Sequence, residues 1–191
     1  MRYLIDNYIS ASESQKIGSM DDFTLLDFIV TQEEKIKDEG NGAKQESAAE
    51  SIENNIRKKV VEKIVINPAY YAKMSAILEQ LIINRKRGVI AYGQLLDAYM
   101  ELAKNIEKPE DNTSYPESVR HSGALRALYD NCGQDEQQAL KLHKAIVKAK
   151  QDGFRNNPVK ENKIKRAIYQ ILKDEDEVER IYQIIVEQGE Y

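Results

Sequence analysis

The residues of this chain best equipped for chemistry are two histidines, one cysteine and a few short runs that imitate catalytic motifs. His121 and His143 lack further ligands nearby, so a zinc site is incomplete. His143 falls on an apolar stripe and reads as a core histidine rather than a general base; His121 reads as a loop residue. Cys132 stands just before Gly133 at an expected helix end, which suits a small buried thiol better than a nucleophile. The run Gly88-Val89-Ile90-Ala91-Tyr92-Gly93-Gln94-Leu95 has the glycine spacing of a phosphate-binding loop. Gln94 and Leu95, however, replace the required lysine and hydroxyl, and no strand precedes the run. Asp152 followed by Glu161-Asn162-Lys163 imitates the acid and Glu-x-Lys order of a metal-dependent nuclease, but both lie in helical pattern. Asp174-Glu175-Asp176-Glu177 lacks the alternation of a calcium loop and fits the negative charge favoured at a helix start. The expectation is no catalytic residue, no metal and no cofactor in this stretch of chain.

The elements that would position any such group are helices. Met74, Ile77, Leu78 and Leu81 fall at i, i+3, i+4, i+7, one stripe of a helix. The same pattern runs from Tyr92 to Ile106, through Leu142, His143, Ile146 and Ala149, through Ile164, Ile168, Ile171 and Leu172, and through Val178, Ile181, Tyr182 and Ile185. Ile52, Ile56, Val60 and Ile64 make a narrower stripe. Asn67-Pro68 and Asn157-Pro158 each place an N-cap before a proline at the first helical position. Ser122, Asp22 and Asp174 are further caps, and Gly133 suits a left-handed helix end. Breaks are expected at Gly40-Asn41-Gly42, at Gly88, between Lys108 and Pro116, and from Gly153 to Pro158. No alternating strand of convincing length occurs. About eight amphipathic helices must bury their stripes on one another, which predicts an all-α irregular bundle with a helical N-terminal arm. Residues 1–45 are expected to form the arm, with helical pieces around Leu4 to Ser12 and Phe23 to Ile36. A flexible joint is expected from Gly40 to Ser47, and the compact body at 46–191.

With 191 residues, 41 % apolar and 31 % charged, the chain can build a core without metals or disulfides. No apolar stretch approaches the ~20 residues a membrane helix needs. Asp6 interrupts the apolar start, unlike a leader peptide, and the lone cysteine fits a reducing compartment. A cytoplasmic protein with no membrane partner is expected. The net charge of −4 argues against an indiscriminate nucleic-acid binder, but it is unevenly spread. Lys141 to Arg166 holds nine basic residues against two acids, whereas Asp174 to Glu190 holds seven acids against Arg180 alone. Asp21 to Glu39 holds seven acids against two lysines. Either the oppositely charged blocks attract each other as solvated helix faces, or one of them meets a partner or phosphate.

Several stretches, taken in order, resemble one family. They are Glu53-Asn54-Asn55-Ile56-Arg57-Lys58, Ile66-Asn67-Pro68-Ala69-Tyr70-Tyr71-Ala72-Lys73-Met74, Ala124-Leu125-Arg126-Ala127-Leu128-Tyr129-Asp130-Asn131, Phe154-Arg155-Asn156-Asn157 followed by Lys160, and Gln188-Gly189-Glu190-Tyr191. They resemble the C-terminal helical region of the R subunit of type I restriction–modification enzymes. The likeness covers about 50–191, and Gly18 to Phe28 is similar to the segment just upstream. Phe154 departs from it, standing where the family has a tryptophan. The resemblance implies that this chain belongs to a longer subunit bearing a nuclease domain and two helicase lobes. That subunit translocates duplex DNA with ATP and Mg. The helical region itself would dock the motor onto the methyltransferase core of modification and specificity subunits, and 1–45 would run back toward the motor.

Two sets of site residues follow. Asn54, Asn55 and Arg57 flank the apolar positions Ile52 and Ile56; asparagines are mediocre helix formers, so their amides either cap a neighbouring loop or meet a partner. Arg126, Tyr129 and Asp130 flank Leu125 and Leu128, where Arg126 and Asp130 are also spaced to pair with each other. Phe154 and Arg155 complete the partner-contact candidates. Duplex DNA is the alternative partner, through phosphate contacts from Lys141, Lys144, Lys148, Lys160, Lys163 and Arg166, with Lys150 and Arg155 beside them.

Overall fold

A computed structural model describes residues 24–37 and 42–191. Among them, nine α-helices follow in order: α1 (Leu25–Lys37), α2 (Gly42–Lys63), α3 (Pro68–Lys86), α4 (Tyr92–Glu107), α5 (Glu117–Arg120), α6 (Gly123–Asn131), α7 (Glu136–Ala149), α8 (Pro158–Leu172) and α9 (Glu175–Glu187). A 3-10 turn, Pro109–Asp111, occupies part of the expected break before α5. No strand occurs among the described residues, and no helix there is long and apolar enough to cross a membrane.

Local chemistry sets the helix starts. The side chain of Asn67 accepts the Tyr70 N–H, Asn157 that of Lys160, Ser122 that of Leu125 and Asp174 that of Glu177. Each satisfies one of the amides that a helix leaves without an internal partner, and Pro68 and Pro158 follow where no such amide is needed. Asp135 makes a fifth such cap, on Gln138. The start of α1 is a reciprocal box: the Asp27 amide donates to the Thr24 hydroxyl at 3.1 Å, and the Thr24 amide donates back to the Asp27 carboxylate at 3.2 Å. The expected cap at Asp22 and the helical piece at Leu4 to Ser12 lie outside the described residues. Gly88 and Gly133 take positive φ values of 65° and 71° where the chain leaves α3 and α6, a conformation glycine adopts without strain.

The stripes close around two cores. The first gathers α1 to α4, Tyr115, Val119 of α5 and Leu125. The second gathers α6 to α9, in which α6 touches α7, α7 touches α8, α8 touches α9 and α9 returns to α6, a ring of four. Helix α6 serves both, turning Leu125 to the first core and Ala124, Ala127 and Leu128 to the second. Tyr129 packs against each.

The expected joint from Gly40 to Ser47 needs correcting. Gly40 and Asn41 lie outside the described residues, but from Gly42 onward the segment is the first two turns of α2. Ala48, Ala49, Ile52 and Ile56 carry one buried stripe through it, and Arg85 of α3 reaches Glu46 at 2.8 Å and Glu50 at 3.9 Å. The expected helix at Phe23 to Ile36 is α1. It joins the first core through Leu25 and Ile29, and the Leu25 amide donates to the Glu107 carboxylate of α4 at 2.6 Å.

Candidate interaction site

Polar groups reinforce the apolar contacts of α6 where the two cores meet. Asp130, at the end of α6, is buried, and one of its carboxylate oxygens accepts from the Asn67 amide at 2.7 Å and from the Tyr115 hydroxyl at 2.6 Å. Asn131 beside it donates to the Asn67 side-chain oxygen at 2.9 Å. Arg180 of α9 donates to the Asn131 carbonyl at 2.6 Å and is itself paired with Glu177. One asparagine thus caps α3, holds α6 and is tied through Asn131 to α9. Burial raises the Asp130 carboxyl pKa above its ordinary value, against the opposing pull of the Tyr115 and Asn67 donors. Burial, with Asp130 beside it, also raises the Tyr115 phenol.

A second joint closes around residues 188–191. Arg155 donates to the carbonyls of Val186 at 2.9 Å, Gln188 at 2.5 Å and Tyr191 at 3.0 Å, and lies over the Phe154 ring. The buried Gln188 amide donates to the Ile66 carbonyl at 2.5 Å, crossing to the first core. Glu190 accepts from the Gly123 amide and the Ser122 hydroxyl, both at 2.6 Å, at the start of α6. The Tyr191 ring is buried and its hydroxyl meets His143 Nδ1 at 2.7 Å. Burial lowers the His143 pKa, which keeps the imidazole neutral at ordinary pH.

A third polar joint, absent from the sequence-based expectations, ties three helices within the first core. Glu53 of α2 is buried; Arg85 of α3 grips both its oxygens, at 2.7 and 2.9 Å, and the Tyr99 hydroxyl of α4 donates to it at 2.5 Å. A bidentate guanidinium and a phenol satisfy a charge that would otherwise be costly to bury. The available signal was Glu53 itself, an acid on the apolar stripe of Ala49, Ile52, Ile56 and Val60.

The partner candidates divide accordingly. Asn54 is exposed, with no hydrogen-bond partner among the described residues. Asn55 bonds back to the Ser51 carbonyl of its own helix, and Arg57 pairs with Glu79 at 2.7 Å. Arg126 and Asp130 do not pair with each other: Arg126 donates to the Arg120 carbonyl and lies 3.7 Å from Glu110, while Asp130 is engaged with Asn67 and Tyr115. Tyr129 is half-buried and packs edge-on against Tyr115. Phe154, 2 % exposed, is a core residue, and Arg155 is occupied by backbone.

The basic block divides as well. Lys160 donates to the Asp152 carbonyl at 2.6 Å, Lys163 to Gln151 at 3.3 Å, and Lys165 pairs with Glu179 at 2.6 Å. That pair is the ion pair joining the basic block to the acidic one among the described residues. Lys141, Lys144 and Lys148 are exposed on α7 and have no partner there. Arg166 is also exposed and lines an open groove between α8 and α9 with Glu175 and Glu179.

The runs that imitate catalytic motifs fall on helix starts and the turns between helices. Gly88 is the turn between α3 and α4, and Gly93 sits in the first turn of α4. Asp152 is in the loop before α8, Glu161 and Lys163 are in its first turns, and Asp174 caps α9. No group of three or more His, Cys, Asp or Glu placed to hold a metal occurs among the described residues. Burial pushes the Cys132 thiol up to about 11, which leaves little thiolate at neutral pH. No family model, no curated protein and no solved structure matches this chain.

Proposed function

We propose that this chain is a helical assembly module of the kind that docks the motor and endonuclease subunit of a type I restriction enzyme onto its methyltransferase core, acting by contact rather than by catalysis. One observation carries the reading: each of the five stretches that bear the family resemblance supplies a residue to the polar joints. Glu53, Asn67, Asp130 with Asn131, Arg155, and Gln188 with Glu190 and Tyr191 come from them in turn. Asn67 with Asp130 and Asn131, and Gln188 with the Ile66 carbonyl, tie the two helical cores together, while Glu53 and Arg155 stiffen one core each, and a spacer between two larger bodies requires both. Their buried polar bonds are directional, and packed apolar faces alone are not.

The face best suited to a subunit is the outer stripe of α2. There Asn54, Lys58 and Val61 follow one another opposite the buried stripe, and Val61 is 62 % exposed. Val65, half-exposed just past the helix, extends the same line. Modification and specificity subunits, co-expressed with the tagged chain, are expected to co-purify with it. Asn54→Glu with Val61→Glu is expected to abolish retention while thermal unfolding stays cooperative. Failure of the folded wild-type chain to retain either subunit would remove the proposal.

A further inference from the structure

The outer face of α7 poses a separate question. Lys141, Lys144 and Lys148 stand at i, i+3 and i+7, which aligns them along about 10 Å of helix, on the side away from the buried Ala139, Leu142 and Ile146. The only acid of α7 is Glu136, whose carboxylate accepts from the Ser118 hydroxyl at 2.5 Å. The stripe therefore has no counter-charge of its own. Of its basic neighbours in sequence, Lys150 is half-buried just past the end of α7, Arg155, Lys160, Lys163 and Lys165 have internal acceptors, and Arg166 shares its groove with Glu175 and Glu179.

What such a face can grip follows from what it lacks. Protein partners are held by buried aromatic or apolar anchors, and α7 offers outward only Val147 among large exposed apolar residues. Single strands are held by stacking on aromatic rings, and α7 contains none. What remains is regularly spaced point charge on long flexible stems, fixed to a rigid helix. That suits the sugar–phosphate backbone of a duplex, which is contacted for position and not for sequence. We infer that Lys141, Lys144 and Lys148 form a sequence-independent contact for the phosphate backbone of double-stranded DNA. The local field of the stripe acts despite the overall charge of −4, because screening confines each interaction to about 10 Å. The inference does not depend on subunit docking.

The test is binding of the whole chain to a labelled 20-base-pair DNA duplex as salt is varied. Three phosphate contacts predict a slope of about −2.7 in log affinity against log salt, a loss of about 40-fold between 50 and 200 mM. The triple variant K141Q/K144Q/K148Q should lose this dependence, and each single change should reduce the slope by about 0.9. A control triple, K86Q/R87Q/K104Q, removes the same charge from exposed, unpartnered residues of the first core and should leave the slope unaltered. No duplex retention at 50 mM salt would overturn the inference, as would a flat salt response. Equal loss in the control triple, or tighter binding to the single strand, would overturn it too.

Discussion

Asp130 keeps a carboxylate where water hardly reaches, and the consequence is a stability that depends on pH in an unusual direction. Its pKa in the folded chain lies above the ordinary value of 3.8, because burial outweighs the donors that face it. Between those two values the folded state binds more protons than the unfolded one, so this group adds stability as pH falls and loses it as pH rises. Asp130→Asn keeps an acceptor for Asn67 and Tyr115 but cannot titrate. Urea unfolding of both proteins from pH 7 to pH 4 should show the wild type gaining on the variant as pH falls; a constant difference would refute this assignment. Comparison at each pH is essential because His143, shifted the opposite way, withdraws stability as pH drops below its unfolded value of 6.5. None of this was legible from Arg126 and Asp130 as an i, i+4 couple. The sequence shows spacing along one helix, whereas the partners of Asp130 come from the α3 cap and from Tyr115.

Element boundaries were the most legible level, because a helix start is decided by the few residues around it. Asn67, Ser122, Asn157 and Asp174 all act as expected, each closing onto an amide three residues ahead. The two proline-preceding asparagines nevertheless differ in weight. Asn157 only caps, and Asn157→Ala should cost about 1 kcal/mol. Asn67→Ala also strips Asp130 and Asn131 of a buried partner, adding about 1–3 kcal/mol. Denaturant midpoints of the two variants would measure the gap, and equal losses would show that the buried network contributes nothing. The start of α2 was misread for the complementary reason. Gly40-Asn41-Gly42 signals a break locally, but what makes 42–50 helical is a packed stripe and an arginine contributed by α3. Contacts between distant segments leave no mark at the site they stabilise.

Across the whole molecule, the all-helical architecture followed from repeated amphipathic stripes, but the division into two cores did not. Periodicity reports which side of a helix is buried and is silent about which neighbours cover it; α6 shows this by facing both ways within nine residues. The proposed DNA face was half legible. The excess of lysine and arginine between 141 and 166 was plain, yet Arg155 and Lys160 turned out to serve backbone carbonyls, and only geometry separates such residues from free ones. Arg155 also yields a test at this scale. Arg155→Ala releases three carbonyls near residues 186–191, so amide exchange in α8 and α9 should accelerate while the α3–α4 amides of the first core stay protected. Uniform acceleration throughout would mean that the two cores open as one.

The seam between the cores has a mechanical meaning. Greasy contacts resist separation gradually, over the whole area they cover, whereas a few directional bonds, from Asn67 and Tyr115 to the end of α6 and from Gln188 to the Ile66 carbonyl, hold stiffly and then let go together once water enters. Pulled from opposite ends, the molecule would keep its length until those bonds parted and α6 gave up Leu125 and Tyr129 from the first core. A tether built this way transmits small loads without stretching and has its breaking point written into a handful of buried polar side chains.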